Sequence, residues 1–211
     1  MHIGILVFAG ADELDVVGPH RVFAALNDIP GASPIDVHLV AERPGRILLA
    51  HGLAIDATNT FGDCPRLDVL VVPGGGSEGP AGRRAQQRNA NAIGFIRDRS
   101  REARVSASVC TGAFLLAEAG VLAGRRANTH WRYRDELAGR MKGRGEHIDI
   151  VPERVVWDGD DLVTGGGVTS GIDVALSIVG RLAGERTRRM IEVALELETP
   201  VTVPRSSPPP T

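Results

Sequence analysis

The sequence predicts an α/β domain with a doubly wound, mostly parallel sheet and helices on both faces. Three observations carry that expectation. Short apolar runs alternate with helix-compatible segments along the whole chain. Runs such as "HIGILVFA" (2–9) are nearly continuous rather than alternating, the pattern of a strand buried on both faces. Three later strand–helix junctions, at 73–76, 109–112 and 164–169, are built from small residues, as suits the carboxyl ends of strands where open sheets place their sites.

After the strand at 2–9, "DVVGPHRVFAALND" (15–28) sets Val17, Val22, Phe23 and Leu26 at helical spacing. Pro19 is expected near the first turn, where its missing N–H costs little. "IDVHLVAE" (35–42) reads as a strand, and "ILLAHGLAIDA" (47–57) as an edge excursion turning at Gly52. "LDVLVVPGGG" (67–76) is a buried strand running into glycines, and 81–103 is a polar surface helix with a thin stripe from Ile93 and Ile96. The strand "RVSASV" (104–109) leads to a helix from Thr111, and 130–141 is a further helix. Residues 154–167 form a hairpin turning at Asp158-Gly159, with the second strand ending in glycines. Helices at 170–183 and 185–197 close the domain.

A chain of 211 residues, 43% hydrophobic and 24% charged, can bury one large core. Residues 1–197 are therefore expected to form a single domain, followed by a mobile proline-rich tail at 198–211 that cannot pack a core. With 24 basic and 26 acidic residues, the net charge of -2 offers no footprint for nucleic acid or an anionic membrane. A small, uncharged ligand fits better. The N-terminal run lacks a basic leader and is too short to span a bilayer, so free thiols and a cytoplasmic location are expected.

Around Cys110 the order is small, any, nucleophile, any, small: Ser108, Val109, Cys110, Thr111, Gly112. A sharp strand-to-helix turn needs small neighbours and leaves the central side chain above the sheet. The helix N-terminus that follows favours a thiolate. The alternative is a structural thiol, since free cysteines are commonly buried as small hydrophobes; Cys64, in "FGDCPRLD", is assigned that role.

A reacting thiol needs a partner to move protons. Asp15, between apolar neighbours at a helix start, is a candidate, with an N-cap or solvated acid as the alternative. Asp12 and Glu13 read equally as surface charges. Backbone N–H groups at Gly74 and Gly75 are positioned to hold developing negative charge, unless those glycines merely end a strand. The loop carrying Gly166, Val168 and Thr169 is a candidate substrate or anion cradle, with tight packing as its alternative; it matches no dinucleotide or Walker spacing. His130 reads first as a capping or core histidine and second as an acid/base or substrate contact. His2, His20, His38, His51 and His147 show no metal-ligand spacing, and no metal is implied.

Together, "LDVVGPHRVF", "LDVLVVPGGG", "SASVCTGAFLLAEAGVLAGRRANTHW" and "LVTGGGVTSGIDVALSI" resemble the PfpI/ThiJ-like superfamily, related to class I glutamine amidotransferases, over nearly the whole chain. The resemblance implies a flavodoxin-like fold and is strongest to the isocyanide hydratase branch. The ligand-sensing domains of AraC-type transcription regulators share the "THW" and "GID" segments. It implies that Cys110 is the nucleophile and that Asp15 stands where most of the superfamily carries Glu. Thr111 stands where protease- and chaperone-like members carry His, which weakens a peptidase reading. The stretch "LELETPVTVPRSSPPPT" (195–211) departs from the hydratases.

The expected reaction is hydration of an isocyanide to an N-substituted formamide through a Cys110 thioimidate, with Asp15 as general acid/base and Thr111 orienting substrate. No organic or metal cofactor is called for. A homodimer is expected from the resemblance. The alternatives are a non-catalytic sensing domain and a glyoxalase or deglycase. A sensing regulator would carry a helix-turn-helix region of roughly a hundred further residues, and the glyoxalase-type relatives usually carry Glu and a nearby His.

Overall fold

The computed structural model describes residues 1–76 and 83–197. The expected tail at 198–211 lies outside the described residues. In chain order the strands are β1 (His2–Leu6), β2 (Asp36–Ala41), β3 (Arg46–Leu48), β4 (Ala54–Asp56), β5 (Asn59–Thr60), β6 (Val69–Val72), β7 (Val105–Ser108), β8 (Arg126–Ala127), β9 (Asp149–Ile150), β10 (Val155–Asp158) and β11 (Leu162–Gly165). The helices are α1 (Glu13–Ala24), α2 (Arg83–Gln87), α3 (Ala90–Glu102), α4 (Ala113–Glu118), α5 (Arg134–Gly143), α6 (Ser170–Ala183) and α7 (Glu185–Ala194). Short 3-10 turns occupy Ala25–Asp28, Cys110–Gly112 and Trp131–Tyr133.

Seven strands form the central sheet in the order β10-β11-β7-β6-β1-β2-β5. Every pairing in it is parallel except that of β10 with β11. The main strands β2-β1-β6-β7-β11 follow the flavodoxin-like order, and the chain reverses its direction of winding between β1 and β6. Loops leaving those two strands must splay apart, which opens a crevice at their carboxyl ends. Helices α1, α6 and α7 pack together, as do α2, α3 and α4, giving two helical layers around the sheet. The doubly wound expectation therefore holds.

The continuous apolar runs explain the centre. Ile3, Ile5, Val69, Leu70, Val71, Val105 and Ala107 are all buried because both faces of their strands are covered. Each fully buried Val, Leu or Ile contributes about 1.5–3 kcal/mol relative to exposure. Where α1 crosses α6, small residues allow close approach: a Cβ on Gly18 would meet Ile172, and one on Gly171 would meet Pro19 at 3.1 Å.

Several elements differ from expectation. Helix α1 starts at Glu13, capped by the Asp12 side chain on the Leu14 N–H, so Pro19 lies in the helix interior rather than its first turn. Having no N–H, Pro19 leaves the Asp15 carbonyl, one turn earlier, without its helical donor. The region 81–103 is not one helix, because Asn89 caps a new one by accepting from the N–H groups of Asn91 and Ala92. Nor is its start a solvated face. Arg83 is fully buried, with its guanidinium 4.0 Å from the Phe114 ring centroid and paired with Glu136 at 3.2 Å.

The excursion at 47–57 is a separate β3–β4 hairpin with Gly52 at φ 100°. The helix at 130–141 begins as a 3-10 turn and continues to Gly143, and α7 stops at Ala194, where Glu196 turns left-handed at φ 52°. The two-residue strands β5, β8 and β9 are too short to leave a periodic signal.

Candidate active site

Loops from the carboxyl ends of β1, β6, β7 and β11, four neighbouring strands, converge on one edge of the sheet. At the end of β7 the chain enters Cys110 with φ 55°, a left-handed conformation that a non-glycine residue adopts only when its surroundings hold it there. The small neighbours are required, as the sequence pattern implied. A Cβ on Gly112 would overlap the Val72 carbonyl oxygen at the end of β6, and the Val109 N–H already donates to that oxygen at 3.1 Å. The elbow is thus wedged between β6 and the body of α4.

Asp15 is neither the N-cap nor a solvated acid. Asp12 takes the cap, and Asp15, in the first turn of α1, is fully buried with Oδ2 accepting from the Gly74 N–H at 2.8 Å. Its Oδ1 is buried with no hydrogen-bond partner. Gly74 must be glycine for this to occur, since a Cβ there would lie 2.5 Å from the Thr111 nitrogen and 2.9 Å from Asp15 Oδ2. Gly75 ties the same loop to the elbow: its N–H donates to Thr111 Oγ1, and that hydroxyl faces the Gly75 carbonyl, each at 3.1 Å. The Asp12 N–H donates to the Gly74 carbonyl at 3.2 Å. The structure therefore brings Asp15, Gly74, Gly75, Cys110 and Thr111 into one unit.

Electrostatically the unit holds protons tightly. Burial pushes the Asp15 carboxyl well above the usual range, and the nearby Asp12 charge adds to that; the Gly74 N–H and Cys110 thiol pull the other way. The Cys110 thiol is 6% exposed and is pushed up by burial first and by Asp15 second, with the Thr111 backbone N–H and side chain partly opposing. The helix terminus was expected to favour a standing thiolate. Here burial wins, and the resting group is the thiol beside a carboxyl group.

The other candidates take no part in the hydrogen bonds of this unit. His130 caps the turn at Trp131–Tyr133 by accepting from the Arg132 N–H at 3.3 Å. Burial and the neighbouring Arg132 and Arg134 lower its pKa, which favours the neutral ring. The Gly166 N–H is spent on the Arg154 carbonyl, and Thr169 Oγ1 accepts from Arg154 at 3.1 Å. Val168 lines a pocket of about 380 Å³ with Asp12, Glu13, Leu14, His51 and Leu53, beside the start of α1. A larger cavity of about 790 Å³ lies at the opposite, amino ends of the strands, near Met1, Ile35 and Arg104; neither Cys110 nor Asp15 lines it.

His51 is brought to Asp12 and Glu13 by the β3–β4 hairpin, a proximity that spacing along the chain does not show. Among the described residues these three are the one group with ligand atoms close enough for a metal. Their donors are spent internally: His51 Nδ1 and N–H bond Glu13 at 2.7 and 2.6 Å, and Asp12 caps α1. Sequence reasoning also passed over Thr129, which is fully buried and donates from Oγ1 to the Cys110 carbonyl at 2.8 Å. Its place in "NTHW" beside the more conspicuous His130 hid it.

A family model described as the DJ-1/PfpI family matches residues 1–181. The chain is 39% identical over 198 residues to isonitrile hydratase of Pseudomonas putida, covering 93% of this chain and 78% of that protein. It is 25% identical over 147 residues to the HTH-type transcriptional regulator CdhR of Pseudomonas aeruginosa, covering 70% of this chain and 40% of the regulator. Among solved structures, a THiJ/PfpI family protein from Pseudomonas syringae is similar with a TM-score of 0.82 and 33% identity, over 98% of this chain and 78% of that one.

Proposed function

The chain belongs to the DJ-1/PfpI family, and on that premise we propose that it is a cysteine-dependent isocyanide hydratase, converting R–NC and water to R–NH–CHO. The observation that carries the reading is the buried Asp15 carboxyl, hydrogen-bonded to Gly74 and placed against Cys110 at the elbow. The similarity to an isonitrile hydratase supports this class of reaction.

The terminal carbon of an isocyanide accepts a nucleophile and then a proton. Because the Cys110 thiol resists ionising, attack and deprotonation occur together: Sγ bonds to that carbon as Asp15 takes the thiol proton and passes it to the same carbon. The product is the thioimidate R–N=CH–S–Cys110. Asp15, again a carboxylate, takes a proton from water as its oxygen adds to the carbon, and returns that proton to nitrogen. Collapse of R–NH–CH(OH)–S–Cys110 breaks the C–S bond, the hydroxyl proton passes through Asp15 to sulfur, and the formamide leaves. A carboxyl whose pKa is raised by burial is the right kind of group for these transfers, since it holds a proton more readily than an exposed carboxylate and can return it. The Thr111 N–H stabilises charge on the substrate; the Gly74 and Gly75 N–H groups, spent on Asp15 Oδ2 and Thr111 Oγ1, hold those side chains in place rather than meeting substrate charge as expected, and His130, Gly166, Val168 and Thr169 stand around the entrance. No cofactor takes part in this scheme. The working form is a homodimer in the cytoplasm; no helix among the described residues is long and apolar enough to cross a membrane.

Incubating the purified protein with an aromatic isocyanide and following formamide by absorbance tests the reading. Wild type should turn over, and Cys110→Ala and Asp15→Asn should each lose about a thousand-fold or more in kcat. Activity kept by Cys110→Ala would reject the covalent route. Stoichiometric metabolite binding without formamide would favour a sensing domain, and consumption of methylglyoxal a glyoxalase.

A further inference from the structure

The carbonyl of Cys110 accepts a hydrogen bond from the fully buried Thr129 hydroxyl at 2.8 Å. A peptide unit is planar and trans, so its C=O and N–H point in opposite directions. Holding the Cys110 carbonyl on the Thr129 side therefore aims the Thr111 N–H to the other side. That side is the site. The Thr111 nitrogen and Asp15 Oδ2 both border the empty Cβ position of Gly74, and the Thr111 N–H is one of the groups that favours the Cys110 thiolate. Thr129 is itself fixed through its neighbour Asn128, whose N–H donates to Thr164 Oγ1 of β11 at 2.8 Å and whose side chain bonds the Glu153 carbonyl and the Arg134 guanidinium.

We infer that Thr129 is a positioning residue: its hydroxyl locks the Cys110–Thr111 peptide plane in the left-handed elbow so that the Thr111 N–H faces the reacting sulfur. The strut runs from β11 through Asn128 and Thr129 to the nucleophile. It rests on Cys110 being the reacting group of the proposed function.

The test measures alkylation of Cys110 by iodoacetamide at pH 8 to 9, mapped by mass spectrometry on the full chain. Thr129→Val removes the hydroxyl at nearly constant shape, and Thr129→Ser keeps it. Thr129→Val should slow alkylation about five- to ten-fold, the worth of one lost hydrogen bond in the stability of the thiolate arrangement, and Thr129→Ser should stay within about two-fold of wild type by the same reckoning. A merely structural role predicts the opposite sign, because a loosened elbow exposes the thiol and speeds alkylation. Unchanged or faster alkylation in Thr129→Val, or Thr129→Ser as slow as Thr129→Val, would overturn the inference. Should Thr129→Val not fold, Thr129→Ala carries the same comparison. Since iodoacetamide replaces the isocyanide, failure of the hydration reading and failure of this inference are read separately.

Discussion

Asp15 combines two properties that ordinarily exclude each other, an ionisable carboxyl and complete burial. Its single backbone donor, the Gly74 N–H, does not offset desolvation and the charge of Asp12, so its folded-state pKa is raised. A raised carboxyl pKa means that the folded chain binds the proton more tightly than the unfolded one, and stability falls as pH rises from the unfolded value, near 3.9, up through the folded one. Asp15→Asn removes that penalty while keeping an oxygen for the Gly74 N–H. The variant should melt a few degrees higher than wild type at pH 8, at about 3 °C per kcal/mol, with the gap closing toward pH 4. It should also be inactive. A variant less stable than wild type at pH 8 would contradict a protonation-prone, buried Asp15. Gain of stability with loss of activity is the expected signature of a site whose groups are placed for chemistry rather than for folding.

At the scale of elements, the elbow depends on contact between the ends of β6 and β7. Gly112 packs against the Val72 carbonyl so closely that any side chain must displace the turn or the strand. Gly112→Ala should destabilise the protein by about 1–3 kcal/mol, read as a lowered thermal midpoint, and should abolish turnover in whatever fraction folds. A neutral Gly112→Ala would show that the elbow is not wedged. The pattern at 108–112 announced this element in advance, because small residues on both sides of a sharp strand-to-helix turn have a steric reason to be there. Nothing comparable announced the break at Asn89 or the burial of Arg83. Local composition around both is polar, and the Phe114 and Tyr133 rings and Glu136, contributed by distant elements, make the buried guanidinium tolerable.

For the whole molecule, the reversal of winding between β1 and β6 places Asp15 and Gly74, 59 residues apart, across one crevice, with Cys110 on the next strand. The site is therefore a property of topology as much as of residues. Leu48, Trp131 and Val193 each expose more than half their area, but large apolar side chains scattered singly over a surface do not mark an interface, so the test of assembly is the mass in solution. The proposed homodimer predicts a mass by light scattering near twice 22.4 kDa, unchanged on tenfold dilution. A mass of one chain across that range would remove it.

The sequence by itself determined the main strands and helices of the doubly wound sheet, the elbow at Cys110 and the family resemblance, because apolar periodicity and the steric demands of tight turns are local. It left Asp15 between a proton-transfer role and an N-cap or solvated acid until the resemblance favoured the first, and it gave Thr129 no role. Only the tertiary structure decided that Asp12 caps α1 while Asp15 is buried, that the cysteine rests as a thiol, and that Thr129 holds its carbonyl. The physical reason is common to all three. Desolvation and hydrogen-bond direction depend on groups tens of residues away, and a residue's own neighbours in the chain carry no record of them.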